Sequence, residues 1–157
     1  FVVFIIGMRI NSYWKLHRWL PVFVAMPRML RELRSRADSG LLHSETMVNS
    51  RMIVMIQYWE SFERLRAYAR AVEQEHIPEW IDYNQSSGRN GDVGIFHETY
   101  AVDPDDYETV YNNMPAFGLG GAGSLTQAEG PLETADQRIG FADDHPAVTE
   151  DGLQRIE

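Results

Sequence analysis

Four stretches of the chain carry the apolar pattern of β-strands. Residues 1–10 and 52–59 are almost continuously apolar and rich in Val, Ile, Phe and Met. Residues 93–102 are strand-like as well, and residues 41–50 form a weaker candidate in which polar and apolar positions mix. Continuous apolar runs of this length are typical of strands that are covered on both faces. The pattern therefore predicts four strands.

Helical spacing separates these strands. Residues 12–20 predict a short aromatic and basic helix, and Met29, Leu30 and Leu33 predict a second one that ends near Ser39-Gly40. Ser61 is a candidate N-cap for a helix over the following residues. Three further assignments complete the set: a short helix over 76–84, a polar loop over 86–92, and an amphipathic helix that starts at Asp103-Pro104 and presents Tyr107, Val110, Tyr111 and Met114.

The order strand, helix, strand, strand, helix, strand predicts an α+β fold of the ferredoxin-like type. In this βαββαβ arrangement, helices cover one face of a four-stranded antiparallel sheet. The third predicted strand is apolar on both of its faces: Ile53 and Met55 share one with Gln57 and Trp59, and Val54 and Ile56 lie on the other. Because the second face must also be hidden from water, we expect two copies to pair as a homodimer.

Composition and charge narrow the range of functions. The chain has 157 residues, no cysteine and a net charge of −9, which disfavours disulfides, thiolate metal sites and nucleic acid as a partner. Residues 124–157 carry eight acidic residues and two arginines. We therefore divide the chain into a domain over 1–123 and an acidic, flexible or extended tail over 124–157, joined by a glycine-rich linker at Gly118–Gly123.

The ends and the compartment are expectations of the same kind. The apolar start at residues 1–6 is too short to span a bilayer, so we predict a buried strand and no membrane span. The absence of cysteine fits a cytoplasmic protein. Since the chain begins with phenylalanine, we expect further residues upstream.

His97 and Glu98 are the leading candidates for a functional site. They are adjacent ionisable residues in the apolar fourth strand, where neighbours point to opposite faces. A buried ionisable group needs a partner, so one of them is expected to face a cavity. His97 is a candidate base or ligand and Glu98 a candidate orienting group. A backbone-bonded histidine and an arginine-paired glutamate remain the structural alternative.

Other residues have both a functional and a structural interpretation. His76, near a helix start, is a candidate haem ligand or a local capping residue. Tyr58 and Trp59 end the third strand, where a pocket wall or ordinary packing is expected. Trp14 lies in an aromatic, basic segment that either covers a cavity or packs on the body. Asn113 precedes Met114-Pro115 and either binds a substrate oxygen or ends a helix.

Several short motifs, in this order, resemble one known family. They are Tyr13-Trp14-Lys15-Leu16-His17, Trp19-Leu20-Pro21-Val22-Phe23, Met26-Pro27-Arg28-Met29-Leu30, Gln57-Tyr58-Trp59, His76-Ile77-Pro78-Glu79-Trp80, Gly94-Ile95-Phe96-His97-Glu98-Thr99-Tyr100 and Tyr111-Asn112-Asn113-Met114-Pro115. Over roughly residues 5–123 the chain is similar to a monooxygenase-like family of mostly uncharacterised bacterial proteins that includes a fumagillin-pathway monooxygenase. The resemblance implies a dimeric α+β barrel, a fold shared with cofactor-independent oxygenases and with haem enzymes.

Three functions are consistent with these observations. The first is a small oxygenase for an aromatic or polyketide-like substrate, without a cofactor or metal. His97 is then the base, Glu98 orients or accepts a proton, Tyr58, Trp59, Tyr100 and Trp14 contact the substrate, and Asn113 is a polar contact. The second is a haem enzyme of the same fold, dehydratase-like or peroxidase-like, with His76 or His97 as iron ligand. The third is a non-catalytic dimeric module that binds a hydrophobic metabolite.

Overall fold

The computed structural model describes residues 1–36, 38–74 and 91–139. Four strands form one antiparallel sheet: β1 (Val2–Ile10), β2 (Leu41–Val48), β3 (Met52–Trp59) and β4 (Val93–Ala101). Their order across the sheet is β2-β3-β1-β4. Two long helices, α1 (Leu16–Ser35) and α2 (Phe62–Gln74), connect them. The ferredoxin-like α+β fold predicted from the sequence is confirmed.

The register of the sheet determines which side chains share a face. Phe4 pairs with Gln57 on one side and with Thr99 on the other, and Ile6 pairs with Met55 and His97. The face that carries these residues is called the inner face. The residues that precede and follow them in each strand point to the opposite face, called the outer face, because side chains alternate along a strand.

The core lies between the inner face and the two long helices. A buried stripe along α1 packs there against residues of β1, β3 and β4. A smaller cluster sits at the other end of the sheet and is centred on Trp59, which is fully buried. The buried residues are Met8, Ile10, Val22, Met26, Leu30, Ile53, Met55 and Val93 in the first cluster, and Val2, Leu33, Trp59 and Leu65 in the second.

The two helices predicted before β2 are in fact one. Helix α1 runs through Pro21 and Pro27, each of which removes a backbone hydrogen bond. The buried stripe begins directly after Pro21, at Val22, and continues across Pro27 to Leu33. Burial of that stripe outweighs the local cost of the prolines, so tertiary packing overrides propensity here.

The helix predicted from Asp103 is wrong. Asp103 and the residues that follow it form only a turn, in which the Asp106 N–H donates to the Asp103 carbonyl at 3.2 Å. The chain then continues without regular structure. Tyr107 packs edge-on against Phe1, with ring centroids 5.0 Å apart, and the predicted stripe residue Val110 is exposed. Aromatic contacts with the sheet thus replace the helical stripe that the spacing suggested.

The structure has short helical elements where the sequence predicted a linker and a tail. Residues Leu119–Ala122 form α3, followed by a 3₁₀ turn at Gly130–Leu132 and by α4 at Ala135–Arg138. Arg138 pairs with Glu108 at 2.9 Å, which ties α4 back to the preceding segment. Residues 140–157 lie outside the described part of the chain, so the division of the chain at residue 123 stays a prediction.

Candidate functional site

A pocket of about 370 Å³ opens between the inner face and helices α1 and α2. Its size falls within the range of small-molecule sites, and apolar side chains dominate its wall. The lining residues are Phe4, Ile6, Met26, Met29, Leu30, Met55, Gln57, Phe62, Leu65, Arg66, Tyr68, Ala69, His97 and Thr99. Every element of the βαββαβ unit except β2 contributes to it. This site is called the inner pocket.

His97 is the one imidazole that lines the inner pocket in the described part of the chain. Strand β4 is at the edge of the sheet, and the side chain is accordingly exposed at the pocket wall. Its ring lies 5.9 Å from the ring of Phe4, centroid to centroid. Neither ring nitrogen has a hydrogen-bond partner among the described residues. The ring can therefore exchange a proton with a ligand or bind an iron atom.

Gln57 is the buried polar group of the pocket. The residue is only 5% exposed, and its Oε1 accepts a hydrogen bond from the indole Nε1 of Trp59 at 3.0 Å. Trp59 itself is fully buried, so this bond lies in the core. The alternation along the strand predicted that Gln57 shares a face with Met55 and Trp59, but nothing in the sequence indicated that this face borders a pocket.

Arg66 adds the positive charge of the pocket. It lies on the exposed side of α2 and lines the wall together with Thr99, whereas no carboxylate lines the pocket within residues 1–36, 38–74 and 91–139. A ligand that carries or develops negative charge would be attracted by this cation. Helix α2 thus gives the pocket a preference for negatively charged ligands, which the sequence pattern alone did not predict.

The structure separates Glu98 from His97. Glu98 points to the outer face, where its Oε2 accepts a hydrogen bond from the Tyr100 hydroxyl at 2.8 Å. This interaction raises the pKa of Tyr100. Glu98 was predicted to orient a substrate or to accept a proton in the same site as His97. This prediction is corrected, because Glu98 does not line the inner pocket: adjacent residues on β4 face opposite sides of the sheet.

The other predicted site residues are also dispersed. Tyr58 and Tyr100 belong to the outer face, and Trp59 is a core residue that does not line the pocket but contacts two residues that do, Gln57 and Tyr68. Trp14 precedes α1 and is 95% exposed, so it covers no cavity. Asn113 lies in the irregular segment after β4 with a φ of 55°. His76 lies outside the described residues, and of the predicted set only His97 lines the inner pocket.

A second polar cluster occupies the outer face of the sheet. Residues 103–122, called the strap, reach this face, and two of their backbone amides bind side chains. Gly118 N donates to Glu45 at 3.3 Å and lies beside Tyr58, and Gly120 N donates to the Tyr111 hydroxyl at 2.8 Å. The cluster joins the strap to β2 and β3.

The strap changes the acidity of the groups beneath it. Burial raises the pKa of Tyr58, and the nearby Tyr111 and Glu45 act in the same direction. Burial alone would raise the pKa of Glu45 too, but hydrogen bonds from His43, at 2.8 Å, and from Gly118 lower it below its usual value. His43 and Glu45 were missed; their i, i+2 spacing on β2 was the available indication.

Over residues 1–36, 38–74 and 91–139, no group of three His, Cys, Asp or Glu side chains comes together to hold a metal ion. None of the helices within those ranges combines the length and apolar character that crossing a bilayer requires.

Residues 1–119 match the family model described as Monooxygenase af470-like. A comparison with curated proteins finds no match.

Solved structures with similar folds include SnoaB, a cofactor-independent oxygenase from Streptomyces nogalater. Its sequence is 10% identical to this chain, the TM-score is 0.44, and the match covers 65% of this chain and 92% of SnoaB. A dimeric ferredoxin-like protein from an uncultured marine organism has 14% identity and a TM-score of 0.45 over 71% of this chain and 100% of that one. A MhuD mutant with two manganese protoporphyrin IX molecules per active site has 20% identity and a TM-score of 0.35, covering 64% and 93%. Similarities this weak carry no argument about ligand or activity.

Proposed function

Because the chain belongs to the Monooxygenase af470-like family, we propose that it is a small oxygenase whose substrate, an aromatic or polyketide-like molecule, binds in the inner pocket. The observation that carries the proposal is a mostly apolar cavity of about 370 Å³ with one imidazole in its wall. A flat, electron-rich substrate matches such a wall of Phe, Met and Tyr side chains.

In the proposed reaction, His97 removes a proton from an activated carbon or a phenol of the substrate. The resulting anion is electron-rich enough to reduce dioxygen directly. For a ring methylene, the two C–H bonds break, one oxygen atom becomes the new carbonyl, and the other leaves as water with the two hydrogens. The apolar wall keeps bulk water from the anion, and the positive charge of Arg66 stabilises it.

Replacing the imidazole tests the role of His97. We expect His97→Ala to lower the rate of oxygen uptake on an anthrone or hydroquinone substrate by about 10²- to 10⁴-fold, the usual contribution of a general base. The measurement is an oxygen-electrode assay with product analysis by mass spectrometry. His17→Gln is the matched control, since His17 is an exposed histidine on α1 outside the pocket lining. Full activity in His97→Ala would remove the base from the mechanism.

A haem enzyme is the second candidate, favoured by the unpartnered imidazole of His97 in an apolar cavity. His97 would hold the iron, Arg66 would pair with a propionate, and the haem would supply the redox chemistry. The test is a haemin titration followed by visible spectroscopy: a Soret band that His97→Ala abolishes supports this candidate. Tight retention of an aromatic ligand with neither haem binding nor oxygen uptake would instead support a binding module.

We also propose that the protein is a homodimer paired through its outer face. Away from the strap, this face carries a row of apolar side chains that the chain itself covers only in part: Val3, Ile5, Val54, Ile56 and Phe96. Pairing two such faces hides them from water. Sedimentation equilibrium should give a dimer for the native chain and a monomer for Ile56→Lys. A native monomer at micromolar concentration would contradict the proposal.

A further inference from the structure

Gln57 holds a fixed orientation because of its partner. An indole N–H only donates, so the Gln57 atom that faces Trp59 Nε1 at 3.0 Å must be the oxygen. The amide nitrogen consequently points the other way. Usually the two ends of a glutamine amide are hard to distinguish, but a donor-only partner decides the assignment. In this chain the buried indole selects which end of Gln57 is available.

The amide nitrogen of Gln57 has no hydrogen-bond partner among the described residues. Gln57 lines the inner pocket and is 5% exposed as a residue, but its amide nitrogen is not one of the fully buried atoms that lack a partner, so this nitrogen keeps access to the pocket. A donor that opens onto a mostly apolar wall gains a hydrogen bond when a ligand brings an acceptor to it. The pocket is the space from which that acceptor comes.

We propose that Gln57 binds a carbonyl or phenolate oxygen of the molecule in the inner pocket, and that Trp59 is the positioning residue that orients it. The inference rests on the proposed function, since it takes the inner pocket to be the substrate site. It adds a chemical class to that function: a planar, apolar molecule with an oxygen acceptor on the β3 side. The role that the sequence suggested for Asn113 thereby passes to Gln57.

The register places this donor apart from the imidazole. Gln57 and His97 lie on β3 and β4 with β1 between them, and they pair with Phe4 and Ile6, two residues apart. From the strand spacing and the rise per residue, their Cα atoms are roughly 12 Å apart. A ligand of two or three fused rings would bridge this interval. One end is then held by Gln57 while the other is presented to His97.

A matched pair of probes isolates the hydrogen bond. α-Tetralone carries a carbonyl oxygen where tetralin has a methylene group, and the two are otherwise of similar shape. We expect the native protein to bind α-tetralone about 2- to 10-fold more tightly than tetralin, the net effect of one hydrogen bond. The Gln57 side-chain amide resonances should shift in NMR titrations with α-tetralone and remain in place with tetralin.

Two variants of Gln57 test the assignment independently. Gln57→Leu removes the donor and should abolish the preference for α-tetralone. Gln57→Glu keeps the acceptor for Trp59 but, when ionised, cannot donate, so it should lower the affinity for α-tetralone below that for tetralin. Ser44→Ala is the control: Ser44 is another buried polar residue of the sheet, but it does not line the pocket. It should leave the preference unchanged.

The role of Trp59 is tested by Trp59→Phe, which retains an aromatic ring but removes the N–H. The Gln57 amide then loses its fixed orientation, so the variant should bind α-tetralone and tetralin with nearly equal affinity, below the preference measured for the native protein. Its amide resonances should also broaden or move before any ligand is added. A structural role alone would lower stability without changing the ratio of the two affinities.

Failure of this inference is distinguishable from failure of the proposed function. If the protein consumes oxygen but Gln57→Leu retains the preference for α-tetralone, the inference is overturned and the oxygenase stands. If the preference depends on Gln57 while no phenol or anthrone supports oxygen uptake, the inference stands and the oxygenase falls. Native protein that binds neither probe, or binds both equally, overturns the inference.

Discussion

Replacing Gly118 by alanine should release the strap from the outer face of the sheet. Gly118 has φ 58° and ψ −123°, a conformation that is open to glycine and strained for any residue with a Cβ atom. An added Cβ would also lie 3.0 Å from the Tyr58 hydroxyl. The same residue donates its N–H to Glu45, so one substitution disturbs the strap at its attachment to both β2 and β3.

The expected cost is about 1–3 kcal/mol from backbone strain, with the contact at Tyr58 adding to it. Local attachments of this kind have opening free energies well below that of global unfolding. The strap is therefore expected to open while the sheet remains folded. Since burial raises the pKa of Tyr58, opening the strap should bring that pKa down toward the ordinary value for tyrosine.

Tyrosine titration followed by NMR, with the Tyr58 resonance assigned from Tyr58→Phe, measures this change. Hydrogen exchange at residues 118–120 provides a second readout, because their amides should lose protection. Gly130→Ala is the matched control: Gly130 also has a positive φ, 57°, but an added Cβ there meets nothing within 4 Å. A Tyr58 pKa that stays raised in Gly118→Ala, or falls equally in Gly130→Ala, would refute the reasoning.

Three further outcomes follow from the core and the helix contacts. The Asp92 carboxylate accepts two hydrogen bonds from Lys15 Nζ, at 2.8 and 2.9 Å, and these bonds lower the pKa of Asp92 in the folded protein. The lowered pKa stabilises the fold at pH values above the unfolded pKa of about 4. This stabilisation is lost as the pH falls through the pKa of the folded state. Asp92→Asn should therefore unfold more easily in urea at neutral pH, and its deficit should vanish in acid. Leu33→Ala, at a position 1% exposed, should cost about 2–5 kcal/mol in urea unfolding, and a loss below 1 kcal/mol would contradict the packing. Ser44→Ala removes the hydroxyl that accepts bonds from Arg34 Nε at 3.0 Å and Nη2 at 2.7 Å, and should cost about 1.5–3 kcal/mol by the same measurement.

The fold was predictable because its elements are locally encoded. Strand β3 was predicted with the bounds that the structure has, Met52–Trp59, because a continuous apolar run of this length is typical of a buried strand. Two assignments were wrong for tertiary reasons. Helix α1 continues past Pro21 and Pro27 because a buried stripe runs from Val22 to Leu33, and the segment after Asp103 is irregular, with Tyr107 packed against Phe1 at the end of the sheet. The two partners in each of those contacts lie far apart in the sequence, so no short segment of it reveals them.

The candidate site was predictable only in part. His97 was identified from one local conflict, an ionisable residue in an apolar strand. Its companions come from elements far apart in the chain: Gln57 from β3 and Arg66 from α2. Their proximity depends on the register of the sheet and on the rotation of a helix. Neither quantity can be read from residue spacing within a single segment.

Because side chains alternate along each strand, the two faces of this sheet have different functions. Gln57 and Tyr58 are neighbours on β3, yet one lines the inner pocket and the other lies beneath the strap. His97 and Glu98 divide in the same way on β4, and Glu98 pairs with Tyr100 instead of the imidazole. Within one protomer, chemistry in the pocket must therefore draw on Gln57 and His97 without their sequence neighbours. The outer face, with its strap and its apolar row, is left for attachment and pairing.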